Sequence, residues 1–297
     1  MNTKSIDITI LGHFAKDIIE IDGTSNASLG GGVYYGGIAG AHMGLKILII
    51  TRLNEEDFPL LNIFKKNGVE FIAIPSEETS GLKNIYSSKN MEFRDYIPLG
   101  FAGLFKKEEI PDFKFPPKFF VLGNIVVGEV DLELLNYLKT KFNNIFLDIQ
   151  GFIRIRDHGK VFYSTLSIKE KKEILSNIAV LKLDQKEAQI LTGNQNIPNA
   201  AKELAKFGPK EVLITHERGI TVYASKTVFS FPWKNRYSIG RTGRGDTALI
   251  SYIGSRLKKN PEDSLKFAAA LTSLKLESPG PFNLPLYQVE KLIKEKY

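Results

Sequence analysis

Residues 238–251 read Ser238-Ile239-Gly240-Arg241-Thr242-Gly243-Arg244-Gly245-Asp246-Thr247-Ala248-Leu249-Ile250-Ser251, a glycine-rich turn that runs directly into an apolar-periodic segment. Glycines let consecutive backbone N–H groups converge on one point, and the start of a helix adds a partial positive charge there. Such a place attracts a phosphate group. Asp246 is then an acid beside a phosphate site, which indicates that its carboxylate has a chemical role.

The rest of the chain alternates strand-like and helix-like segments. The apolar, β-branched runs predict strands at Ile6–Leu11, Lys46–Thr51, Val69–Ile74, Phe119–Leu122, Ile145–Ile149, Ala179–Leu183 and Glu211–Thr215, with two shorter ones up to Phe231. The helical periodicity predicts helices at Phe58–Lys66, Leu132–Phe142, Gly243–Lys258, Glu262–Leu276 and Leu286–Glu295. This order predicts an α/β fold with a central, mostly parallel sheet covered by helices on both faces.

One segment interrupts the alternation. Leu82–Tyr86 and Met91–Ile97 flank the polar turn Ser87–Asn90, a pattern typical of a β-hairpin. We therefore expect a single α/β domain over residues 1–297, with a small β lid formed by segments near 13–30 and 80–105.

Composition narrows the function classes. The chain has 297 residues, 43% of them hydrophobic, which is enough to bury a sizeable core, and the absence of cysteine excludes disulfides and thiolate metal sites. The start, Met1–Asp7, lacks the pattern of a signal peptide, so we expect a cytoplasmic protein without membrane contact. The net charge is +7, but lysines alternate with glutamates, as in Ile168–Glu173, instead of forming a basic stripe. This pattern disfavours nucleic-acid binding and is compatible with an anionic small-molecule substrate.

Standard nucleotide motifs are missing. The sequence contains no G-x-x-x-x-G-K-[ST] loop, and Gly12–Asp17 is not a dinucleotide fingerprint, which disfavours a dehydrogenase. The four histidines are scattered without ligand spacing, which disfavours a zinc site.

Four segments, taken together, resemble the ribokinase (PfkB-type) carbohydrate kinase family. Thr242–Asp246 is similar to its second signature, D-T-x-G-A-G-D, and Gly30-Gly31 with the Ala/Gly-rich helix ending at Gly44 is similar to its first. Leu183–Gly193 resembles the N-x-x-E segment, and Val212–Thr215 followed by Gly219 resembles a strand and turn that touch nucleotide phosphates. The segments occur in family order over nearly the whole chain. A closer resemblance, through Gly30–Tyr35 and Leu147–Arg154, is to the myo-inositol kinase branch.

The chain also departs from the family pattern. Gly240 replaces the first aspartate of the second signature, and Arg244 replaces the alanine between its glycines. Asp184 replaces the asparagine of N-x-x-E, and Tyr35 stands where sugar kinases commonly carry a substrate-binding asparagine. The missing asparagine argues against a plain ribokinase.

The resemblance implies a catalytic role for the loop that begins the helix predicted at Gly243–Lys258. Asp246 would orient the acceptor hydroxyl and take its proton, and the backbone N–H groups of Gly243, Arg244 and Gly245 would meet the transferring phosphoryl group. The competing interpretation of Asp246 is an ordinary first-turn helix acid.

The resemblance also implies residues for the acceptor, the nucleotide and a metal. The candidates for the acceptor are Asp17 and the glycines Gly31 and Gly32, together with the bidentate-capable side chains of Asn124, Gln150 and Arg154, which lie near predicted strand ends and could select among hydroxyls. Those for the nucleotide are Thr215, Gly219, Thr242 and Gly243, and those for Mg²⁺ held through water are Asp184 and Glu187. Plainer interpretations stay open: a surface turn acid at Asp17, a tight turn at Gly31 and Gly32, a surface or supporting role for Asn124, Gln150 and Arg154, a first-turn acid pair at Asp184 and Glu187, and a strand end at Thr215.

The resulting hypothesis is an ATP- and Mg²⁺-dependent kinase that phosphorylates a hydroxyl of a small polyol, a cyclitol such as myo-inositol or a sugar. The alternatives are a nucleoside kinase of the same fold and a non-catalytic sugar-binding protein. The resemblance further suggests a homodimer.

Overall fold

The computed structural model describes residues 5–297, so the interpretation of the start at Met1 to Lys4 lies outside the described residues. The strands are β1 (Ile8–Leu11), β2 (Ala15–Ile21), β3 (Thr24–Gly30), β4 (Ile47–Asn54), β5 (Glu70–Ser76), β6 (Gly81–Ser87), β7 (Asn90–Gly100), β8 (Phe119–Leu122), β9 (Ile145–Asp148), β10 (Arg154–Asp157), β11 (Lys160–Tyr163), β12 (Ile178–Asp184), β13 (Glu211–His216), β14 (Gly219–Ala224) and β15 (Thr227–Pro232). The helices are α1 (Gly32–His42), α2 (Asn62–Lys66), α3 (Leu132–Lys141), α4 (Gln150–Ile153), α5 (Ile168–Leu175), α6 (Gln185–Thr192), α7 (Ile197–Ala205), α8 (Arg244–Arg256), α9 (Pro261–Leu276) and α10 (Leu286–Lys296). Between residues 5 and 297, no helix has the length and apolar character needed to cross a membrane.

A nine-stranded sheet forms the centre of the molecule, in the order β15-β14-β13-β12-β9-β8-β1-β4-β5. The strands from β13 to β5 run parallel, and β14 and β15 are antiparallel to them. Since parallel strands require crossover connections, helices cover both faces. This arrangement confirms the predicted fold class.

The two faces of the sheet bury separate cores because side chains alternate along each strand. Ile49 and Phe146 pack toward the side of α1, α8 and α9, whereas their neighbours Ile50 and Leu147 pack toward α3, α6 and α7. Strands buried on both sides read as continuous apolar runs, which is why the sequence pattern located them.

A separate four-stranded sheet, in the order β3-β2-β6-β7, lies beside the main sheet. The β2–β3 and β6–β7 pairs are antiparallel, and β2 runs parallel to β6. These strands fall within the segments assigned to the lid. Whether they move as a lid stays a prediction.

Two local expectations differ from the structure. The helix expected at Phe58–Lys66 is a 3₁₀ helix over Glu55–Leu61 followed by α2, because Pro59 lacks the N–H that an α-helix interior requires. The antiparallel pair β10–β11 was not predicted.

Helices α1 and α8 approach each other closely, and this packing sets the geometry of the site. A Cβ added at Gly36 would lie 2.7 Å from Cγ1 of Ile250, and one at Gly40 would lie 3.2 Å from Cγ2 of the same residue. The absence of side chains at Gly36 and Gly40 therefore lets α1 and α8 pack together, with their N-terminal ends on the same side of the molecule.

Candidate active site

The predicted site residues gather at the carboxyl edge of the parallel sheet. Asn124 and Gln150 follow β8 and β9, and Asp184 and Thr215 lie at the ends of β12 and β13. In an open α/β sheet this edge is where ligands bind, because the loops after neighbouring strands meet there.

The loop over residues 240–245, called the anion loop below, leads into α8 and has the backbone of an anion site. Gly243 is the N-cap of α8 and has φ 80°, a left-handed conformation, and a Cβ there would lie 2.2 Å from the ring of Tyr35. A Cβ at Gly245 would lie 2.6 Å from Nζ of Lys182. Gly243 therefore requires glycine, whereas a side chain at Gly245 would displace the end of the Lys182 side chain. The first-turn N–H groups of α8 lack helical partners. The N–H of Arg244 already donates to the carbonyl of Arg241 at 3.3 Å, so Gly243 and Gly245 are the better donors to a phosphoryl group.

Asp246 lies in the first turn of α8 and faces the first turn of α1. Its Oδ1 would be 3.2 Å from a Cβ added at Gly32, and the carbonyl oxygen of Gly123 would be 2.6 Å from the same Cβ. Gly31, the N-cap of α1, has φ 91°, and a Cβ there would lie 2.3 Å from the carbonyl oxygen of His13. The two glycines and the carboxylate thus form one wall of a narrow space.

Asp17 supplies a second carboxylate from the four-stranded sheet. It is 9% exposed, and its Oδ1 accepts the N–H of Leu82 at 2.8 Å. Burial raises the pKa of Asp17 to about 6; the Leu82 hydrogen bond and Arg94 oppose this rise, and Asp246 adds to it. Asp17 and Asp246 are therefore close enough to interact electrostatically.

Three further acceptor candidates are buried beside this space, and each already has a protein contact. Asn124 donates to Glu129 at 3.3 Å, but its Oδ1 is buried without a partner in the described structure. Nε2 of Gln150 donates to the carbonyl of Asn124 at 2.9 Å. Arg154 pairs with Glu187 at 3.4 Å. Asn124 thus retains an unused acceptor atom, whereas Gln150 and Arg154 organise their neighbours.

On the other side of the anion loop lies a cavity of about 420 Å³. It is lined by Glu92, Arg94, Tyr96, Tyr163, Asp184, Gln185, Lys186, Gln189, Thr215, His216, Glu217, Arg241 and Arg244. Four of these residues are cations and three, Glu92, Asp184 and Glu217, are carboxylates, so the lining has a small excess of positive charge. Burial, with the neighbouring Arg241, lowers the pKa of Arg244 to about 10, so Arg244 stays charged at neutral pH. This side of the loop is therefore suited to phosphate groups.

Two side chains of the four-stranded sheet, Glu92 and Tyr86, contact the anion loop. Glu92 of β7 accepts from Nη1 of Arg244 at 2.7 Å and lies 3.5 Å from Nε of Arg241. The hydroxyls of Tyr86 and Thr242 are 2.9 Å apart. The unusual Arg244 thus faces β7 and the cavity instead of solvent.

Thr215 and Gly219 have different surroundings. Thr215 is buried and lines the cavity. A Cβ at Gly219 would lie 2.3 Å from the carbonyl oxygen of Phe231, so packing against β15 accounts for this glycine. The described residues that line the cavity do not include Gly219.

Comparisons with known proteins show which proteins this chain resembles in sequence and structure. No family model matches the chain. A cytidine kinase of Thermococcus kodakarensis is 24% identical over 269 residues, 86% of this chain and 90% of that protein. A pyrophosphate-dependent kinase in the ribokinase family, solved as a sulfate complex, is 30% identical with a TM-score of 0.87, covering 95% of this chain and 99% of that one. The chain belongs to the ribokinase family.

A second solved ribokinase-family structure gives the same result. This pyrophosphate-dependent kinase, complexed with a pyrophosphate analogue and myo-inositol, is 29% identical with a TM-score of 0.87 and covers 96% of this chain and 99% of that one. The predicted family, with its closer resemblance to the myo-inositol kinase branch, is confirmed. The protein is a kinase, a phosphotransferase that acts on an alcohol group.

The metal candidates of this ribokinase-family kinase cap a helix. Asp184 accepts the N–H of Glu187, and Glu187 accepts the N–H of Asp184, a reciprocal capping box at the start of α6. Burial, with Asp184 beside it, raises the pKa of Glu187 to about 7. Within residues 5–297, no group of three or more His, Cys, Asp or Glu side chains could hold a metal ion directly. Asp184 lines the cavity and suits a water-mediated contact, whereas Glu187 is engaged by the cap and by Arg154.

Sequence reasoning missed a buried ion pair beneath the loop of this kinase. Nζ of Lys182 lies 2.7 Å from Oδ2 of Asp148, and both side chains are at most 5% exposed. Burial alone would lower the pKa of Lys182, but Asp148 raises it above its ordinary value. A lysine in the apolar run of β12 was the available signal. Sequence reasoning also missed Glu129, which accepts the N–H groups of Ile125 and Val126 and so shapes the loop after β8.

Proposed function

We propose that this chain transfers a phosphoryl group to one hydroxyl of a small polyol, with a cyclitol such as myo-inositol preferred and a sugar next. The observation that carries the proposal is that two carboxylates lie beside the glycines at the start of α1: a Cβ added at Gly30 would lie 2.1 Å from Oδ2 of Asp17, and one at Gly32 would lie 3.2 Å from Oδ1 of Asp246. An ionised carboxylate only accepts hydrogen bonds, so two of them suit a ligand with several hydroxyl donors.

The proposed reaction uses the anion loop for the phosphoryl group and the two carboxylates for the acceptor. Asp246 orients the acceptor hydroxyl and takes its proton as the new P–O bond forms and the donor's bridging oxygen departs. The N–H groups of Gly243 and Gly245 stabilise the charge on the transferring group. Asp17 binds a further hydroxyl and fixes the acceptor's orientation.

A magnesium ion fits this scheme through Asp184. When bound with the donor, Mg²⁺ supplies charge neutralisation to the phosphate oxygens and keeps most of its own waters. Asp184 is the carboxylate at the end of β12 that lines the cavity, and it would hold those waters.

Inorganic pyrophosphate is the donor that the cavity favours. The cationic side chains of Arg94, Lys186, Arg241 and Arg244 line one space of about 420 Å³, which suits a small ligand with several negative charges. Two solved structures of 30% and 29% identity are of a pyrophosphate-dependent kinase in the ribokinase family, which supports the same donor.

ATP, the donor expected from the sequence, is the second candidate. An adjoining cavity of about 650 Å³ shares Arg241 and Arg244 with the first and is also lined by Met91, Trp233 and Leu276. The apolar atoms of these three side chains could contact an adenine ring. This cavity is the observation that favours a nucleotide.

A matrix of donors and acceptors tests the proposal. Pyrophosphate and ATP, each with Mg²⁺, are combined with myo-inositol, other cyclitols, ribose, fructose and cytidine, and the phosphorylated product is measured by ³¹P NMR. We expect turnover with a polyol and pyrophosphate. Turnover with cytidine alone would instead establish a nucleoside kinase, and ligand-induced stabilisation without turnover would establish a binding protein.

The setting of the enzyme is part of the proposal. We place it in the cytoplasm, acting on small molecules without nucleic-acid or membrane partners, and as a homodimer. Light scattering on the purified chain tests the dimer, and a monomeric mass at micromolar concentration would exclude it.

A further inference from the structure

Lys275, near the end of α9, is a buried lysine whose ammonium lies against the anion loop. Its side chain is 1% exposed, and Nζ donates to the backbone carbonyls of Gly240 and Thr242. Nζ also lies 5.2 Å from the centre of the Tyr35 ring. In the described part of the chain, no carboxylate lies within ion-pair distance of this ammonium.

The lack of an acid partner makes this lysine costly to keep. Burial, with Arg241 next in effect, lowers the pKa of Lys275 to about 7, although Asp246 opposes the shift and Arg244 adds to it. An apolar side chain would fill the same space without that cost. Stability alone therefore does not explain a lysine at this position.

The end of α9 and the loop are joined at several points. The N–H of Gly240 donates to the carbonyl of Leu276 at 2.9 Å. A Cβ at Gly240 would lie 1.9 Å from the carbonyl oxygen of Ser278, so the aspartate of the family pattern has no room here. The backbone contacts between Gly240 and the residues that follow Lys275 thus hold Lys275 beside the anion loop.

The direction of one N–H group follows from these contacts. The peptide bonds of the described chain are trans, and a trans unit holds its C=O and N–H in opposite directions. The ammonium fixes the carbonyl of Thr242, so the N–H of Gly243 in the same peptide unit must point away from Lys275. The Tyr35 ring, which packs both on the ammonium and against Gly243, limits rotation of that unit.

We propose that Lys275 is a positioning residue for phosphoryl transfer, whose ammonium holds the carbonyls of Gly240 and Thr242 so that the Gly243 N–H faces the transferring group. The inference rests on the proposed role of this loop as the phosphoryl site. Lys275 acts through the loop and does not touch the substrate.

The experiment compares wild type, Lys275→Ala and a matched control, Lys139→Ala, on a donor–acceptor pair that wild type turns over. Lys139 also donates to two backbone carbonyls, those of Glu173 and Ile174, but it lies outside the site. We expect Lys275→Ala to lose about 10²-fold in kcat with little change in donor or acceptor KM, because misplacing one catalytic group costs that much. Lys139→Ala should retain wild-type kcat.

Amine rescue separates positioning from a purely structural role. Methylammonium should restore part of the kcat of Lys275→Ala because it can donate to the same carbonyls, whereas tetramethylammonium, which has no N–H, should not. Loss of kcat that methylammonium does not restore would overturn the proposal, as would unchanged kcat. If Lys275→Ala does not fold, Lys275→Met decides: unchanged kcat overturns the proposal, and a selective kcat loss at native unfolding temperature supports it.

Different results would contradict the proposed function and the proposed role of Lys275. A wild type that is inactive with every donor and acceptor contradicts the proposed function. An active wild type whose Lys275 variants match it contradicts only the role of Lys275.

Discussion

Replacing Asp246 with asparagine tests the proposed base with almost no change in side-chain shape. The carboxylate faces Gly32, where the acceptor would sit, and nothing in the first turn of α8 can substitute as a base at that place. General-base catalysis contributes about 10²–10⁴-fold, or roughly 3–5 kcal/mol of barrier. Loss of a first-turn helix acid costs only about 0.3–1 kcal/mol of stability. We therefore expect a kcat loss far larger than any change in folding.

Steady-state kinetics at saturating acceptor, with a parallel thermal melt, measures both effects. Asp263→Asn is a matched control because Asp263 occupies the same third position of α9 that Asp246 occupies in α8. The control should lose stability to a similar extent and keep full turnover. If Asp246→Asn retains turnover within about tenfold of wild type, Asp246 is an ordinary helix acid and the assignment of the base is wrong.

Three further predictions concern substitutions at Asp17, Gly243 and Lys182. Asp17→Asn should raise the acceptor KM. Because the pKa of Asp17 is raised to about 6 in the native state, the wild type loses stability as the pH rises from about 4 to 6. The variant does not ionise there, so urea unfolding should show a gain in its free energy of unfolding of roughly 3 kcal/mol at pH 7.5 and none at pH 4. Gly243→Ala should lose both activity and melting temperature, whereas Gly280→Ala, with the same φ of 80° but open space around its Cβ, should lose only about 1 kcal/mol of stability. Lys182→Met should lose about 3–5 kcal/mol by leaving Asp148 buried and unpaired. Adding Asp148→Asn to that variant should recover much of the loss, and additive losses in urea unfolding would contradict the coupling.

The sequence predicted the fold well because the parallel strands are buried on both faces. The apolar run Ile145–Ile149, for example, predicted β9, and tertiary packing did not change that outcome. The hairpin β10–β11 was missed because the charged residues Arg154 and Arg156 break the apolar pattern that predicts a strand, although the Arg154 side chain is buried. The turn signal was present at His158 and Gly159, which both adopt positive φ.

The site was predictable where backbone chemistry dictates the residue and less so where side chains meet across the fold. Gly243 and Gly31 adopt left-handed conformations, and their glycines were visible as a pattern. Lys182 and Lys275 stand out as lysines in apolar segments, but their partners are brought near only by the fold. Sequence spacing contains no information on such pairings.

The close approach of α1 to α8 has a consequence for how this enzyme could acquire new substrates. Gly36 and Gly40 have no side chain that could adjust, so a larger residue at either position would displace the start of α1 relative to Asp246. Variation there would alter the catalytic geometry for every acceptor at once. Asp17 lies on β2 of the four-stranded sheet, whereas the contacts of that sheet with the start of α8 described above come from β6 and β7. Acceptor preference should therefore diverge among descendants of this protein through the strands β2 and β3 around Asp17, while the α1–α8 contact stays fixed by the reaction that all of them share.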